Sequence, residues 1–185
     1  MITRTVFAGF GGQGVLLMGY VLAHGAMRKG LNVTYLPAYG AEVRGGTANC
    51  TVTLSDHEID SPVASQPDIL VAMNPPSLER FEPTVAPDGL IMVNSSLIEQ
   101  KPSRTDVRAI DIPLVELAEK AGSLRAANMV MVGALAAETG LLTVDEAIGG
   151  MEKALAGKEK FFDLNRAGIR TGADFINTRR LSKTG

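Results

Sequence analysis

Thr3-Arg4-Thr5-Val6-Phe7-Ala8-Gly9-Phe10-Gly11-Gly12-Gln13-Gly14 is the stretch that decides the fold. Residues 3–8 are β-rich, the next six include four glycines, and residues 15–29 are dominated by apolar side chains up to Gly30. That order predicts a strand, a tight glycine turn and a helix buried against a sheet, with Gly30 as its stop. Residues 31–36 read as a second strand. The whole fits in about 35 residues, the size of a βαβ unit. Strands joined this way run parallel, cross over right-handed and are buried on both faces.

Working outward, residues 37–46 form a loop and residues 47–54 a strand. Ser55-Asp56-His57-Glu58 then turns into the short segment 59–62, which predicts a hairpin-like insertion in the βα alternation. Residues 68–73, 90–94 and 107–112 are further apolar strands. Asn74-Pro75 opens a helix through Phe81, and Pro113 opens another that closes at Gly122. Beyond Gly122 the pattern is helical: residues 128–139, a capping box at Thr143-Val144-Asp145-Glu146, and a last segment over 158–180. No repeat or long linker divides the chain. The expected architecture is one α/β domain over residues 1–185, three-layered, with a mostly parallel sheet and a helical C-terminal end.

Composition narrows the chemistry. The 185 residues are 45% hydrophobic and 21% charged, with a formal net charge of −2. Such a balance suits a packed core and supplies no field for nucleic acid or an anionic membrane. The apolar run 14–23 is too short to span a bilayer, and no signal-peptide pattern precedes it, so a cytoplasmic setting is expected. One cysteine, Cys50, excludes an intrachain disulfide and a cluster held by four thiolates of this chain. Two histidines, His24 and His57, leave little material for a zinc site, and no metal ligands are assigned. Twenty glycines, few aromatics and no tryptophan direct the search for function to the glycine turns.

Gly9, Gly11 and Gly14 fit the G-x-G-x-x-G spacing with a strand before and a helix after. Glycines there permit a tight turn, and free N–H groups at a helix start favour an anion. A dinucleotide site also calls for an acid at the end of the second strand. Here that stretch reads Thr34-Tyr35-Leu36-Pro37, with no acid before Glu42, and no Gly-Lys-Ser/Thr follows the glycines. Two readings stay open: a purely structural strand-to-helix crossover, or a phosphate-binding turn. Gln13, read as an exposed amide among four glycines, favours the second. A second glycine loop, residues 37–49, carries Glu42 and Arg44 just before Gly45-Gly46. In an extended segment the two charges project to one side, where Arg44 offers a planar fork to phosphate or carboxylate. Gly45-Gly46 adds a candidate concave set of N–H groups. The plainer alternative is a loop pinned by a Glu42–Arg44 salt bridge.

Gly9-Phe10-Gly11-Gly12-Gln13-Gly14, then Tyr39-Gly40-Ala41-Glu42-Val43-Arg44-Gly45-Gly46, then Ser55-Asp56 with Ile59 and Ser61-Pro62, closely resemble the gamma subunit of 2-oxoacid:ferredoxin oxidoreductases. The equivalent unit is the third domain of fused pyruvate enzymes and the beta subunit of indolepyruvate enzymes. The resemblance extends to Pro67-Asp68 and to the helix at Asn128, and is weakest over the final twenty residues. It implies a Rossmann-like fold and a share in CoA-dependent oxidative decarboxylation of a 2-oxoacid to an acyl-CoA and carbon dioxide. It further implies a complex holding thiamine diphosphate, magnesium, iron–sulfur clusters and coenzyme A, with ferredoxin as electron acceptor. The partners it implies are alpha and beta catalytic subunits and a ferredoxin-like delta subunit. This chain lacks the Gly-Asp-Gly…Asn pattern of a thiamine diphosphate site, and one cysteine holds no cluster, so an accessory role is expected and no catalytic residue is assigned.

Two jobs fit an accessory chain. In the first, Gly9, Gly11, Gly12, Gln13, Gly14, Arg44, Gly45 and Gly46 help form the CoA site. In the second, Tyr39, Glu42, Arg44 and Asn128 dock the chain on the catalytic subunits. The alternative of another class is a stand-alone NAD- or FAD-binding protein. His57, His24, Cys50, Met129 and Met131 are expected to be structural or solvated. Lys158, Lys160, Arg166 and Arg170 are expected on a solvated face, and Asn165 has no assigned role.

Overall fold

Strand β1 (Ile2–Phe10) divides its side chains between two cores: Phe7 enters the larger one, Val6 and Ala8 the smaller. The computed structural model describes residues 1–39, 47–61 and 65–183, with backbone alone at 39 and 183. Five more strands follow: β2 (Asn32–Tyr39), β3 (Thr47–Ser55), β4 (Ile69–Ala72), β5 (Leu90–Asn94) and β6 (Arg108–Ile112). They form one sheet in the order β2-β3-β1-β4-β5-β6. β1, β4, β5 and β6 are parallel neighbours, whereas β3 runs antiparallel to both β1 and β2. Every residue of β4 and β5 is buried, as strands covered on both faces require.

The sheet corrects two expectations. β2 does not pair with β1, because β3 lies between them, so the opening strand–helix–strand is not a βαβ unit of adjacent strands. The hairpin is made by β2 and β3, not by residues 47–54 with 59–61, the described part of the expected second arm. The cause is pairing capacity. β3 is nine residues long and alternates buried Cys50, Val52 and Leu54 with threonines, so it can complete a ladder on both edges. It pairs from Ile2↔Ser55 to Phe10↔Thr47 on one side and from Asn32↔Ser55 to Tyr39↔Ala48 on the other. Residues 59–61, short and containing Asp60, make no strand.

The helices are α1 (Val15–Arg28), α2 (Pro75–Phe81), α3 (Leu114–Lys120), α4 (Ala127–Thr139), α5 (Val144–Ala154) and α6 (Phe162–Lys183). Helices α1 and α3–α6 enclose the larger core, whereas α2 covers the smaller core formed by Val6, Ala8, Leu70, Ala72, Ile91 and Val93. Both predicted caps are present. Asn74 Oδ1 accepts from Ser77 N at 2.9 Å, and Thr143 and Glu146 complete a reciprocal box at 3.1 and 2.8 Å.

Several glycines serve helix packing rather than turns. Helix α4 is buried from Met129 through Ala136, so α6 must lie directly on its backbone. A Cβ at Gly133 would collide with the Ile169 carbonyl, and one at Gly172 with the Val130 carbonyl. At the α1–α5 contact, a Cβ at Gly150 would strike Val21 and Gly25. The glycine excess therefore marks close helix crossings as well as the turn after β1.

Candidate functional site: a cleft at the glycine turn

The turn after β1 occupies residues 11–14, with Gly12 at φ 98° and Gly14 at φ 71°. Both lie in the left-handed region that side-chain-bearing residues rarely adopt. Gln13 N donates to Phe10 O at 3.2 Å and closes the turn. Among the described residues, the N–H groups of Gly11, Gly12 and Gly14 have no hydrogen-bond partner. Gly9 lies within β1 and has no room for a side chain, since a Cβ there would come within 2.8 Å of Met73 and Val15.

Gln13 differs from its expected role. It is half-buried rather than exposed, and three protein partners hold its amide. Oε1 accepts from Phe10 N at 2.6 Å and from Asn74 Nδ2 at 3.3 Å, while Nε2 donates to Met73 O at 3.2 Å. Asn94 Nδ2, at the end of β5, donates to the same Met73 oxygen at 3.1 Å. The packing reason invisible in the sequence is this junction between the ends of β1, β4 and β5.

Beside the turn lies a cleft of about 300 Å³. Gln13, Met73 and Asn94 line it at the strand ends, and Leu114, Val115, Leu124, Arg125 and Asn128 come from the helix starts opposite. It sits outside the carboxyl ends of parallel strands, where the chain leaves β1 toward β2 on one side and β4 toward β5 on the other. Crevices at such switch points are the usual ligand sites of open α/β sheets. Leu97, Val115 and Leu124 are 50, 43 and 55% exposed, so the cleft mouth is apolar.

The electrostatics favour an anion. Helix α1 begins at the cleft with no side-chain cap and no acid in its first turn. Helix α4 also begins there without an acid, but it continues a tight turn over 124–126 in which Arg125 N donates to Ser123 Oγ, and its own Met129 N donates to a side chain. Among the described residues that line the cleft, Arg125 is the one charged group. The uncapped start of α1 concentrates free N–H groups and the positive end of the helix dipole there. Asn128, expected at an interface, is half-buried against the turn: a Cβ on Gly14 would collide with its amide. Its Oδ1 accepts from Met129 N at 3.0 Å, and its Nδ2 makes no hydrogen bond among the described residues.

Other expected site residues divide as follows. Glu42, Arg44, Gly45 and Gly46 lie outside the described residues, and Tyr39 is the last residue of β2, known by its backbone. Asn74, Asn94, Leu97, Val115, Leu124 and Arg125 were not singled out from sequence as site residues. Asn74 carried a signal for helix capping alone, and the others are common residue types whose proximity depends on strand order.

The residues expected to be structural have partners to match. Cys50 is fully buried, and burial pushes its thiol from 9.0 up to about 12. Met129 and Met131 are fully buried. His24 stacks beside Tyr20, and the His57 side chain is 83% exposed next to Asp56. Lys158, Lys160 and Arg170 are exposed, while Arg166 bridges Glu152 and Asp163 at 2.6 and 2.9 Å. Asn165 Nδ2 donates to Phe161 O at 2.9 Å within α6 and its approach.

Residues 4–175 match the model of the pyruvate ferredoxin/flavodoxin oxidoreductase family. The chain belongs to that family. It is similar to the ketoisovalerate oxidoreductase subunit VorA of Methanothermobacter thermautotrophicus, 43% identical over 174 residues. That match covers 93% of this chain and 36% of the relative, so the chain spans about a third of that relative's length. The 2-oxoglutarate synthase subunit KorC of the same organism is 39% identical over 147 residues, covering 76% of this chain and 78% of that one. Among solved structures, the gamma subunit of a keto/oxoacid ferredoxin oxidoreductase from Geobacter sulfurreducens PCA superposes with a TM-score of 0.79. It is 27% identical and covers 95% of this chain and 99% of its own.

Against this family the stand-alone NAD or FAD alternative finds no support. The strand after α1 is not beside β1, and its end carries no acid before position 42. Cluster ligation does not fit the chain either, since Cys50 is buried with its Sγ directed to Val15 O at 3.7 Å. Among the described residues no acid lines the cleft to suit magnesium, and no group of three His, Cys, Asp or Glu gathers. No helix among the described residues is long and apolar enough to cross a membrane.

Proposed function

We propose that residues 1–185 act as one accessory, gamma-type unit of a multi-subunit 2-oxoacid:ferredoxin oxidoreductase. The assembled enzyme converts a 2-oxoacid and coenzyme A to acyl-CoA and carbon dioxide in the cytoplasm, passing electrons to ferredoxin. Thiamine diphosphate, magnesium and the clusters belong to alpha, beta and delta partner subunits. This chain contributes the cleft at the glycine turn to the CoA site. The observation that carries this reading is a cleft with the uncapped start of α1, Arg125 and, among the described residues, no lining carboxylate, in a member of this family.

Coenzyme A, once bound, would supply the thiol that takes up the acyl group. This chain's own part is to bind and orient. The N–H groups of Gly11, Gly12 and Gly14 and the Arg125 guanidinium attract phosphate oxygens, and Asn128 Nδ2 adds a donor. The aliphatic walls at Leu114, Val115 and Leu124 receive less polar parts of the molecule. Arg44, Gly45 and Gly46 remain candidates for the same site, and Tyr39, Glu42 and Arg44 for docking.

In the assembled enzyme, Arg125→Glu should raise the KM for CoA about tenfold, the effect of losing ~1.4 kcal/mol of binding, while thiamine content stays unchanged. An unchanged CoA dependence with full assembly would contradict a CoA contact in this cleft. The exposed apolar mouth favours a second role alongside the first, with the partner subunits closing over Leu97, Val115 and Leu124. Gel filtration of a Leu124→Asp variant tests it: the chain should leave the complex, and normal co-elution would count against docking there.

A further inference from the structure

Gln13 lines the cleft, yet three of the four hydrogen-bonding positions of its amide are taken up by the protein itself, leaving one Nε2 N–H. Oε1 already has two donors, Phe10 N and Asn74 Nδ2, and Nε2 has one acceptor, Met73 O. These contacts fix which end of the amide is which. Phe10 N and Asn74 Nδ2 can only donate, and Met73 O can only accept, so a flipped amide would oppose like groups at all three points. Asn94 Nδ2 donates to the same Met73 oxygen, and Asn94 Oδ1 accepts from Ser96 N at 3.2 Å. Ser96 Oγ in turn accepts from Val115 N at 2.9 Å, in the first turn of α3 across the cleft. A continuous set of hydrogen bonds thus runs from the glycine turn, through the ends of β4 and β5, to the opposite wall.

The turn needs such support. Gly12 and Gly14 hold left-handed backbone conformations, and glycine is the residue with most freedom to leave them. The turn itself has a single closing backbone bond, Gln13 N to Phe10 O, and the N–H groups without a partner among the described residues lie on either side of Gln13. From this geometry we infer that Gln13 is a positioning residue. Its side chain holds the N–H groups of Gly11, Gly12 and Gly14 ready for an anion, with Asn74 fixing the Gln13 amide. The inference rests on the proposed CoA role of the cleft and deepens it: the phosphate end of the coenzyme is received by backbone groups, whose order depends on a half-buried amide clasp. Binding by an already ordered turn avoids the entropy of ordering it on contact.

Asn74→Asp separates positioning from contact. Asn74 is fully buried, is not among the residues that line the cleft, and caps α2 through Oδ1. Aspartate keeps an oxygen for Ser77 N but sets a second oxygen against Gln13 Oε1 in place of the donor. Asn74→Asp and Gln13→Met are compared with the parent chain in the assembled enzyme by CoA kinetics and by amide hydrogen exchange with and without CoA. In the parent complex, CoA should slow exchange across residues 9–14. Both variants should exchange faster there without CoA and raise the KM for CoA by about tenfold, with kcat within about twofold. An Asn74→Asp enzyme that is folded, capped and unchanged in KM overturns the positioning role while leaving CoA binding intact. Absence of CoA-dependent slowing at residues 9–14 in the parent complex overturns the CoA reading, and the positioning role with it.

Discussion

Gly14 meets two demands at once, a left-handed backbone and a close approach by Asn128. Gly14→Ala should therefore cost about 1–2 kcal/mol from the backbone alone, with a further steric cost from the displaced amide. Denaturant unfolding of Gly14→Ala in the parent and in an Asn128→Ala background separates the two, because the steric part should vanish in the second. Equal costs in both backgrounds would mean that the contact carries no energy. Cys50 supplies a second residue-scale outcome. Its thiol is held neutral by burial, so it should resist alkylation at pH 8 in the folded chain and react once unfolding exposes it. Below pH 9.0 the thiol is protonated in both states. Between 9.0 and about 12 the unfolded chain releases the proton and the folded chain retains it, so Cys50 withdraws stability as pH rises through that window. Equal alkylation rates with and without denaturant would contradict the burial argument. At this scale the glycine spacing was legible because backbone demands are local. The tasks of Gln13 and Asn94 were not, because both depend on Met73 O, which lies some sixty residues from Gln13 in sequence.

Helix α4 and its neighbour α6 are brought together by Gly133, Gly168 and Gly172, where side chains would meet backbone atoms or close neighbours. Gly133→Ala or Gly172→Ala should destabilise the fold by about 1–3 kcal/mol or more through forced separation of the helices. Gly140→Ala, with open space around it, should cost only the ~1–2 kcal/mol of its left-handed backbone. Thermal unfolding that ranks Gly140→Ala as the most damaging of the three would refute close packing as the reason for these glycines. Elements fixed by neighbours in sequence were readable: the capping box at Thr143, the Asn74 cap and the buried runs of β4 and β5. The place of β3 was not. A strand with alternating apolar and threonine positions declares a two-faced surface, but which strands flank it is a long-range choice between ladders. The same limit hid the helix-packing glycines, since a lone glycine in a helical pattern looks alike whether it faces water or another backbone.

At the scale of the molecule, insertion of β3 shifts β2 to the sheet edge and takes away the adjacent strand a dinucleotide site uses. What remains is a cleft at the ends of β1, β4 and β5, rimmed by exposed leucine and valine and, among the described residues, without a lining acid. Those residues suit binding and orienting and offer no cluster ligands or metal cage, in keeping with an accessory role. A ketoisovalerate relative carries the matching unit within a longer chain. The sequence pointed to the turn and to the family through the same glycines and to Asn128, whereas the rest of the opposing wall, over residues 114–125, came into view only once the strand order was known. The most direct test is a dropout reconstitution. The partner subunits and this chain are purified separately and assayed for CoA-dependent 2-oxoacid oxidation, apart and recombined. The account predicts no turnover by this chain alone, little by the partners alone, and recovery on mixing; turnover of any 2-oxoacid by the isolated chain, or full activity without it, would contradict it.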